Sequence, residues 1–255
     1  MTLKLCLILF ANHVHPTYKL IVAANRDEFF DRPTSPVHYW EDYPHILAGR
    51  DLKQMGTWMG VTKAGRFAAL TNFRDPKEVS EGKRSRGELV ADFLKNNTNS
   101  QTYMKKVAEQ SKLYPGYNLL VGDRNQLYIF SNIRDAPQKV ESGVHGVSNH
   151  LLNTAWPKVK LGKEELAKII NDNNQFMVEQ LFTLLQNAEP ARDEILPKTG
   201  VPLEWERLLS PLFIKSERYG TRSSTVLLMS DEEIVYTERV YSGEGIKDQS
   251  YTLKL

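Results

Sequence analysis

A thiol, an amide, a guanidinium and two carboxylates lie close together near the start of this 255-residue sequence. The thiol is Cys6, the only cysteine, inside the apolar run Leu5 to Phe10. The other four groups are Asn25-Arg26-Asp27-Glu28, directly after a second apolar run, Leu20 to Ala24. A thiolate can attack a carbonyl carbon, and an arginine beside it is expected to lower its pKa from about 8.5. An asparagine amide can donate to a developing oxyanion. An aspartate can accept from a general base or orient a substrate amine. The competing reading is structural: a lone cysteine in an apolar strand as a small buried hydrophobe, and Arg26 beside Asp27 as an ordinary ion pair.

These groups need a scaffold. Two short apolar runs around the polar turn Asn12 to Lys19 predict a buried hairpin. Paired in that way, Cys6 and the tetrapeptide come from neighbouring strands, with the tetrapeptide at a strand end. Further polar residues stand beside strand-like runs: Asn72 after Phe67 to Thr71, Asn149 at the end of the run Val144 to Asn149, and Arg222 before Ser223 to Met229. Strand ends on a rigid sheet are good places to build a site. Thr57 to Thr62 and Phe67 to Thr71, split by Lys63-Ala64-Gly65, predict a second hairpin. Ser85, three residues before Glu88, predicts a capping box for a helix carrying Leu89, Val90, Phe93 and Leu94. Lys77 to Arg86 ahead of it reads as a charged, mobile loop. Gln101 to Ser111, Pro157 to Asn171 and Asn174 to Leu185 have helical spacing, and a short helix is expected around Glu204 to Leu209. Tyr117 to Val121, Gln126 to Ser131, Ile234 to Tyr241 and Tyr251 to Leu255 read as strands, and Asp31 to Gly49 as turn and loop. Hairpin-linked strands with grouped helices argue for an α+β sandwich of antiparallel sheets, in one domain over residues 1–255.

Composition narrows the class. With 41% hydrophobic and 25% charged residues the chain can bury a core. A net charge of +2 gives no reason to expect nucleic acid as a partner. No apolar run approaches the roughly 20 residues of a membrane span, and Leu5 to Phe10 is too short for a signal-peptide core. A soluble, cytoplasmic protein is expected, in which the Asn96-Asn97-Thr98 sequon has no role. His13 and His15 share a turn without a third ligand nearby, so no metal is expected.

The segment Ala23 to Phe29, containing Asn-Arg-Asp-Glu, resembles the signature of the NRDE family, which includes the transport-and-Golgi-organisation proteins. Arg32-Pro33, Ala48 to Asp51, Gly56-Thr57-Trp58, Ala69 to Asn72, Ser148-Asn149, Trp156-Pro157-Lys158 and Tyr219 to Arg222 extend the resemblance in order along the chain. That family resembles N-terminal-nucleophile hydrolases of the bile-salt and penicillin V acylase type. The resemblance implies a four-layer α-β-β-α sandwich of two antiparallel sheets. It implies Cys6 as nucleophile, Arg26 and Asp27 as its second-strand partners, Asn72 and Asn149 as hydrogen-bond donors, and Arg222 as a second arginine. Asn-Arg-Asp-Glu differs from the acylase pattern, so Asn25 and Glu28 stand as alternatives there and as substrate contacts. No metal or organic cofactor is implied.

Two functions follow. One is an amide hydrolase acting on a linear C–N bond other than a peptide. The other is a non-catalytic binding or trafficking protein for an apolar ligand, haem or an acyl group, on the same fold. The first requires the α-amine of the nucleophile, pKa about 7.7–8.0, as its base. Here Met1-Thr2-Leu3-Lys4-Leu5 precedes Cys6. Cleavage before Cys6, or initiation at position 5 followed by methionine removal, would free the amine. With the extension in place, amidase activity is expected to be blocked.

Overall fold

A computed structural model describes residues 5–134, 136–172, 177–243 and 245–255. The expectations about Met1 to Lys4, and the predicted helix start at Asn174, lie outside these residues. In chain order, β1 is Leu5–Asn12, β2 Leu20–Phe29, β3 Thr34–Tyr39, β4 Ile46–Asp51, β5 Met59–Thr62 and β6 Phe67–Asn72. Helices α1 (Gly87–Lys95) and α2 (Ser100–Glu109) follow. Then come β7 Tyr117–Gly122, β8 Leu127–Ser131, β9 Gln138–Lys139 and β10 Gly143–Val147. Helices α3 (Pro157–Asn171), α4 (Met177–Leu185) and the short α5 (Leu203–Leu208) lead into β11 Tyr219–Met229, β12 Glu233–Ser242 and β13 Gly245–Lys254.

The strands form two antiparallel sheets. One is ordered β10-β1-β2-β11-β12-β13, the other β3-β4-β5-β6-β7-β8-β9. Alternation along each strand sends one set of side chains between the sheets and the other toward a helix layer. Ile8, Phe10, Val22 and Ala24 meet Met59, Phe67 and Leu120 in the core between the sheets. Leu7, Leu9, Ile21 and Ala23 face the other way and pack on Val159, Leu166, Leu181 and Phe182 of α3 and α4. Ala68, Leu70 and Leu119 pack on Val90, Phe93 and Met104 of α1 and α2. The result is the four-layer α-β-β-α sandwich implied by the resemblance.

The opening hairpin is present in full register, Cys6 opposite Arg26 and Asn12 opposite Leu20. The second hairpin turns at Gly65, where φ is +76° and glycine avoids the steric cost of the left-handed region. Three expectations are corrected. Asp31 to Gly49 is largely strand, not loop: β3 and β4 pair there, with a register shift between Ser35 and His38 around Pro36. The predicted capping box is absent, since α1 begins after Arg86 with no side-chain cap. Lys77 to Arg86 is pinned rather than loose. Glu78 Oε1 accepts from Gly116 N, Arg84 N donates to Leu113 O, and Arg86 Nη1 donates to Gly116 O at 2.8 Å.

Candidate active site

The second strand does not stop at Ala24. It runs to Phe29, so Asn25-Arg26-Asp27-Glu28 lies inside a strand and its side chains alternate between faces. Arg26 and Glu28 point between the sheets, the side occupied by Cys6. Asn25 and Asp27 point toward α3 and α4. The tetrapeptide therefore serves two environments.

Between the sheets lies a cleft of about 660 Å³. Cys6, Arg26, Asp27, Glu28, Asn72 and Arg222 all line it. Arg222 owes its place to a β-bulge. Thr221 pairs with Asp27 and Ser223 with Arg26, which leaves Arg222 as the extra residue. It is inside a strand rather than before one, and its Nη1 donates to Phe29 O and Arg32 O. Asn72 closes β6.

Asn149 and Asn25 do not line the cleft. Asn149 is fully buried beside it. Its Nδ2 donates to Asn72 O at 2.9 Å, and Ser148 Oγ donates to Cys6 O at 2.9 Å and lies the same distance from Asn149 Oδ1. Asn149 thus braces the ends of β1 and β6. Asn25 spans the helix side of its sheet, donating to Leu185 O and Leu212 O, both at 2.8 Å, and accepting from Ser224 Oγ. Its expected part in substrate contact is corrected to a structural one. Asn25→Ala is expected to cost about 2–3 kcal/mol by stranding two buried carbonyls. Urea denaturation measures that loss, and a variant as stable as the parent would refute the assignment.

The electrostatics also correct an expectation. The Cys6 thiol is 6% exposed, and its pKa is pushed up to about 12. Burial is the chief cause; the Asp27 and Glu28 carboxylates add to it, while the Asp27 backbone amide and Arg26 oppose it. Arg26 alone does not make a thiolate. Asp27 is buried too, and its pKa is raised for the same reason. Its Oδ1 accepts from Thr221 Oγ1 at 2.6 Å, and its Oδ2 has no hydrogen-bond partner among the described residues.

Positive charge exceeds negative charge in the cleft. Arg26 lies 4.0 Å and Arg32 3.6 Å from Glu28, and Arg32 also grips Asp51. Arg86 and Arg222 also feel the Glu28 charge but form no ion pair among the described residues. Burial lowers both their pKa values, and Arg26 lowers that of Arg222 further.

Arg86 is not legible as a site residue in the sequence, because the charged segment that carries it reads as a mobile loop. Neither is Lys158 as a charged group near the site, although Trp156-Pro157-Lys158 is visible as a motif. Among the described residues no group of three His, Cys, Asp or Glu side chains is arranged to hold a metal. His15 instead closes its turn, its Nδ1 accepting from Thr17 N and Tyr18 N.

The family model for Transport and Golgi organisation 2 matches residues 5–243, a span that contains every cleft residue named above. This chain belongs to that family. It is 33% identical to the Transport and Golgi organization protein 2 homolog of Bos taurus over 94% of each chain. It is 31% identical to the Homo sapiens homolog over 92% of each, and 28% identical to the Drosophila melanogaster protein over 94% and 93%. Among solved structures, a mutant conjugated bile acid hydrolase from Clostridium perfringens aligns over 99% of this chain and 97% of its own. The identity is 11% and the TM-score 0.47. A Caenorhabditis elegans ortholog of N-acylethanolamine-hydrolyzing acid amidase aligns over 88% and 92%, with the same identity and TM-score. No helix among the described residues is long and apolar enough to cross a membrane.

Proposed function

We propose that this protein is a cysteine amide hydrolase that acts on linear C–N bonds other than peptide bonds, once its chain begins at Cys6. One observation carries the reading. Leu5 pairs with Asp27 in the β1–β2 register, and one buried carboxylate oxygen of Asp27 is without a hydrogen-bond partner among the described residues. A chain starting at Cys6 would place its ammonium next to that oxygen, where a charge-assisted hydrogen bond is worth about 1.5–3 kcal/mol.

In the proposed step the α-amine takes the thiol proton and Sγ bonds to the amide carbon. The oxyanion is met by the Asn72 side chain on the cleft floor, with Asn149 bracing the Asn72 backbone. The C–N bond then breaks, and the leaving amine carries off the proton held by the α-ammonium. Water attacks the thioester with the α-amine again as base, releasing a carboxylic acid and restoring the thiol. Glu28, amid Arg26 and Arg32, sets the charge of the floor. Arg86 and Arg222, which form no ion pair among the described residues, suit an amide that carries negative charge. They do not favour an apolar cargo such as an acyl chain, whose binding would need a mostly apolar wall.

The test is acyl-enzyme trapping by intact-mass analysis with a panel of N-acyl amides, on chains that retain or lack residues 1–5. The chain beginning at Cys6 is expected to gain the acyl mass and turn over, and its Cys6→Ala variant to do neither. Equal turnover by chains that still carry Met1 would sink the proposal, as would activity surviving Cys6→Ala.

A further inference from the structure

The cleft has a second polar end, which the reaction above leaves without a task. Residues opposite one another in antiparallel strands share a face of the sheet. Cys6, Arg26, Ser223 and Val240 lie opposite one another across β1, β2, β11 and β12, and all four line the cleft. One rung toward the core, the same four strands place Ile8, Ala24, Thr225 and Glu238. Ile8 and Ala24 belong to the apolar core between the sheets. Glu238 is the carboxylate of that rung, and it lines the cleft at 4% exposure. It stands three strands from β1 in the sheet order, a separation of about 14–15 Å from the nucleophile's strand.

A carboxylate at that depth is costly and calls for partners. One of its oxygens has a structural task. The register shift between Ser35 and His38 takes the Val37 peptide out of the β3–β4 ladder. The opposite sheet receives it: Val37 N donates to Glu238 Oε2 at 2.7 Å, and Tyr251 Oη donates to Val37 O at 3.3 Å. A glutamine would accept that N–H equally well, so the tie between the sheets does not call for an acid. The other oxygen, Oε1, lies on the side of Gly49. A Cβ at position 49 would sit 3.9 Å from Oε1 and 3.2 Å from Ser35 O, so glycine keeps this approach clear. Gly49, Ser35 and Ser223 all line the cleft with Glu238. Burial raises the Glu238 pKa, against the opposing pull of Val37 N–H, the Ser223 hydroxyl and the charges of Arg26 and His38.

We propose that Glu238 is a specificity-determining residue: its Oε1 accepts a hydrogen bond from a neutral donor, a hydroxyl group, at the end of a cleft ligand remote from Cys6. A carboxylate has lone pairs to spare beyond the bond to Val37. A hydroxyl suits the place better than an ammonium, because Arg26 and Arg222 line the same cleft and repel a further cation. An ether in that place would set acceptor against acceptor and leave the buried carboxylate unanswered. That the other end of the ligand reacts at Cys6 rests on the hydrolase reading; the contact at Glu238 does not.

The experiment is calorimetric titration of the full chain with two probes that differ only at one end, N-(ω-hydroxydodecanoyl)glycine and its ω-methoxy counterpart. Their glycine carboxylate supplies the negative charge that the arginines suit, and the acyl chain is long enough to cross the floor. The hydroxyl probe is expected to bind about tenfold more tightly or better, since a site built around a hydrogen bond rejects an analogue that cannot make it. Glu238→Gln keeps an oxygen for Val37 N and turns an amide donor toward the cleft in place of Oε1. In that variant the ratio is expected to fall to about one or to invert. A Glu238 that only ties the sheets together would change stability and leave the ratio alone. Equal binding of the two probes by the parent, or none, overturns the proposal and needs no variant to fold. A ratio kept in Glu238→Gln overturns it too, as does tighter binding of an ω-amino probe, which would make the occupant a cation. Binding needs no turnover. Failure of a chain beginning at Cys6 to hydrolyse either probe therefore removes the hydrolase reading alone, whereas an unchanged ratio removes the role of Glu238.

Discussion

Iodoacetamide is expected to label Cys6 at neutral pH roughly 1000-fold faster in a chain that begins at Cys6 than in one that retains residues 1–5. The thiol with its peptide neighbour intact has a pKa of about 12. At pH 7 only about one molecule in 100,000 is then thiolate, against a few per cent for an ordinary thiol. Burial is the largest cause, and the two carboxylates nearby add to it. A free ammonium at Cys6 adds a positive charge beside the thiol and engages Asp27, the stronger of the two opposing carboxylates. The sign fixes the pH profile. In the longer chain the rate climbs tenfold per pH unit without a plateau up to about pH 10, because the group stays mostly protonated below its raised pKa. In the shorter chain the rate is expected to level off above about pH 9, once a thiol of ordinary pKa is mostly ionised. Cys6 is the only cysteine, so the measurement needs no site assignment. Equal rates and identical profiles would mean that residues 1–5 do not govern the nucleophile.

What could be read from the sequence depended on which signals are local. Pro157 to Asn171 is a helix with those boundaries, because Pro at its first position and periodic Val159, Leu166 and Ile170 act within a few turns. The opening hairpin was legible from two apolar runs. The face of each polar residue beyond Ala24 was not. It depends on how far β2 continues, and that depends on β11, about 200 residues away, pairing from Phe29 to Leu20. One misplaced strand end was enough to merge Asn25 with Arg26, which point to opposite sides. β3 and β4 were hidden by Pro33, Pro36 and Gly49, residues that mark turns unless a register shift absorbs them. Arg86 was hidden because charge density suggested mobility, whereas the segment is held by Gly116 and Leu113. Lys158 was the hardest to see, since nothing in a one-dimensional pattern tells a buried lysine from a solvated one. The cysteine's environment was misjudged for a related reason: Arg26 is adjacent to it, but desolvation comes from the whole enclosure and outweighs one neighbour.

Arg74→Met is expected to destabilise the fold by about 3–5 kcal/mol, measured as the free energy of urea unfolding. Arg74 Nη1 lies 2.7 Å from Glu206 Oε2, with side-chain exposures of 1% and 4%. Removing the cation leaves Glu206 as an uncompensated buried carboxylate. Glu206 is also committed elsewhere: its Oε1 accepts from the backbone N–H and hydroxyl of Thr199. The guanidinium stacks over Trp156 at 4.6 Å, and Arg74 N donates to Asn149 O, so methionine loses those packing and charge contacts while the backbone bond stays. Glu206→Gln should cost a comparable amount, because it strands the arginine. The double variant Arg74→Met with Glu206→Gln should recover a large part of the summed loss, since it removes both charges and keeps an acceptor for Thr199. That non-additivity is the signature of a buried pair rather than of two independent packing defects. Losses under about 1 kcal/mol in both single variants would place the pair in the class of exposed bridges. The same ion pair ties α5 to the segment that follows Asn72, and the Arg74 guanidinium packs on Trp156, the N-cap of α3. Arg74 also repels the Lys158 ammonium. Arg74→Met should therefore raise the Lys158 titration midpoint.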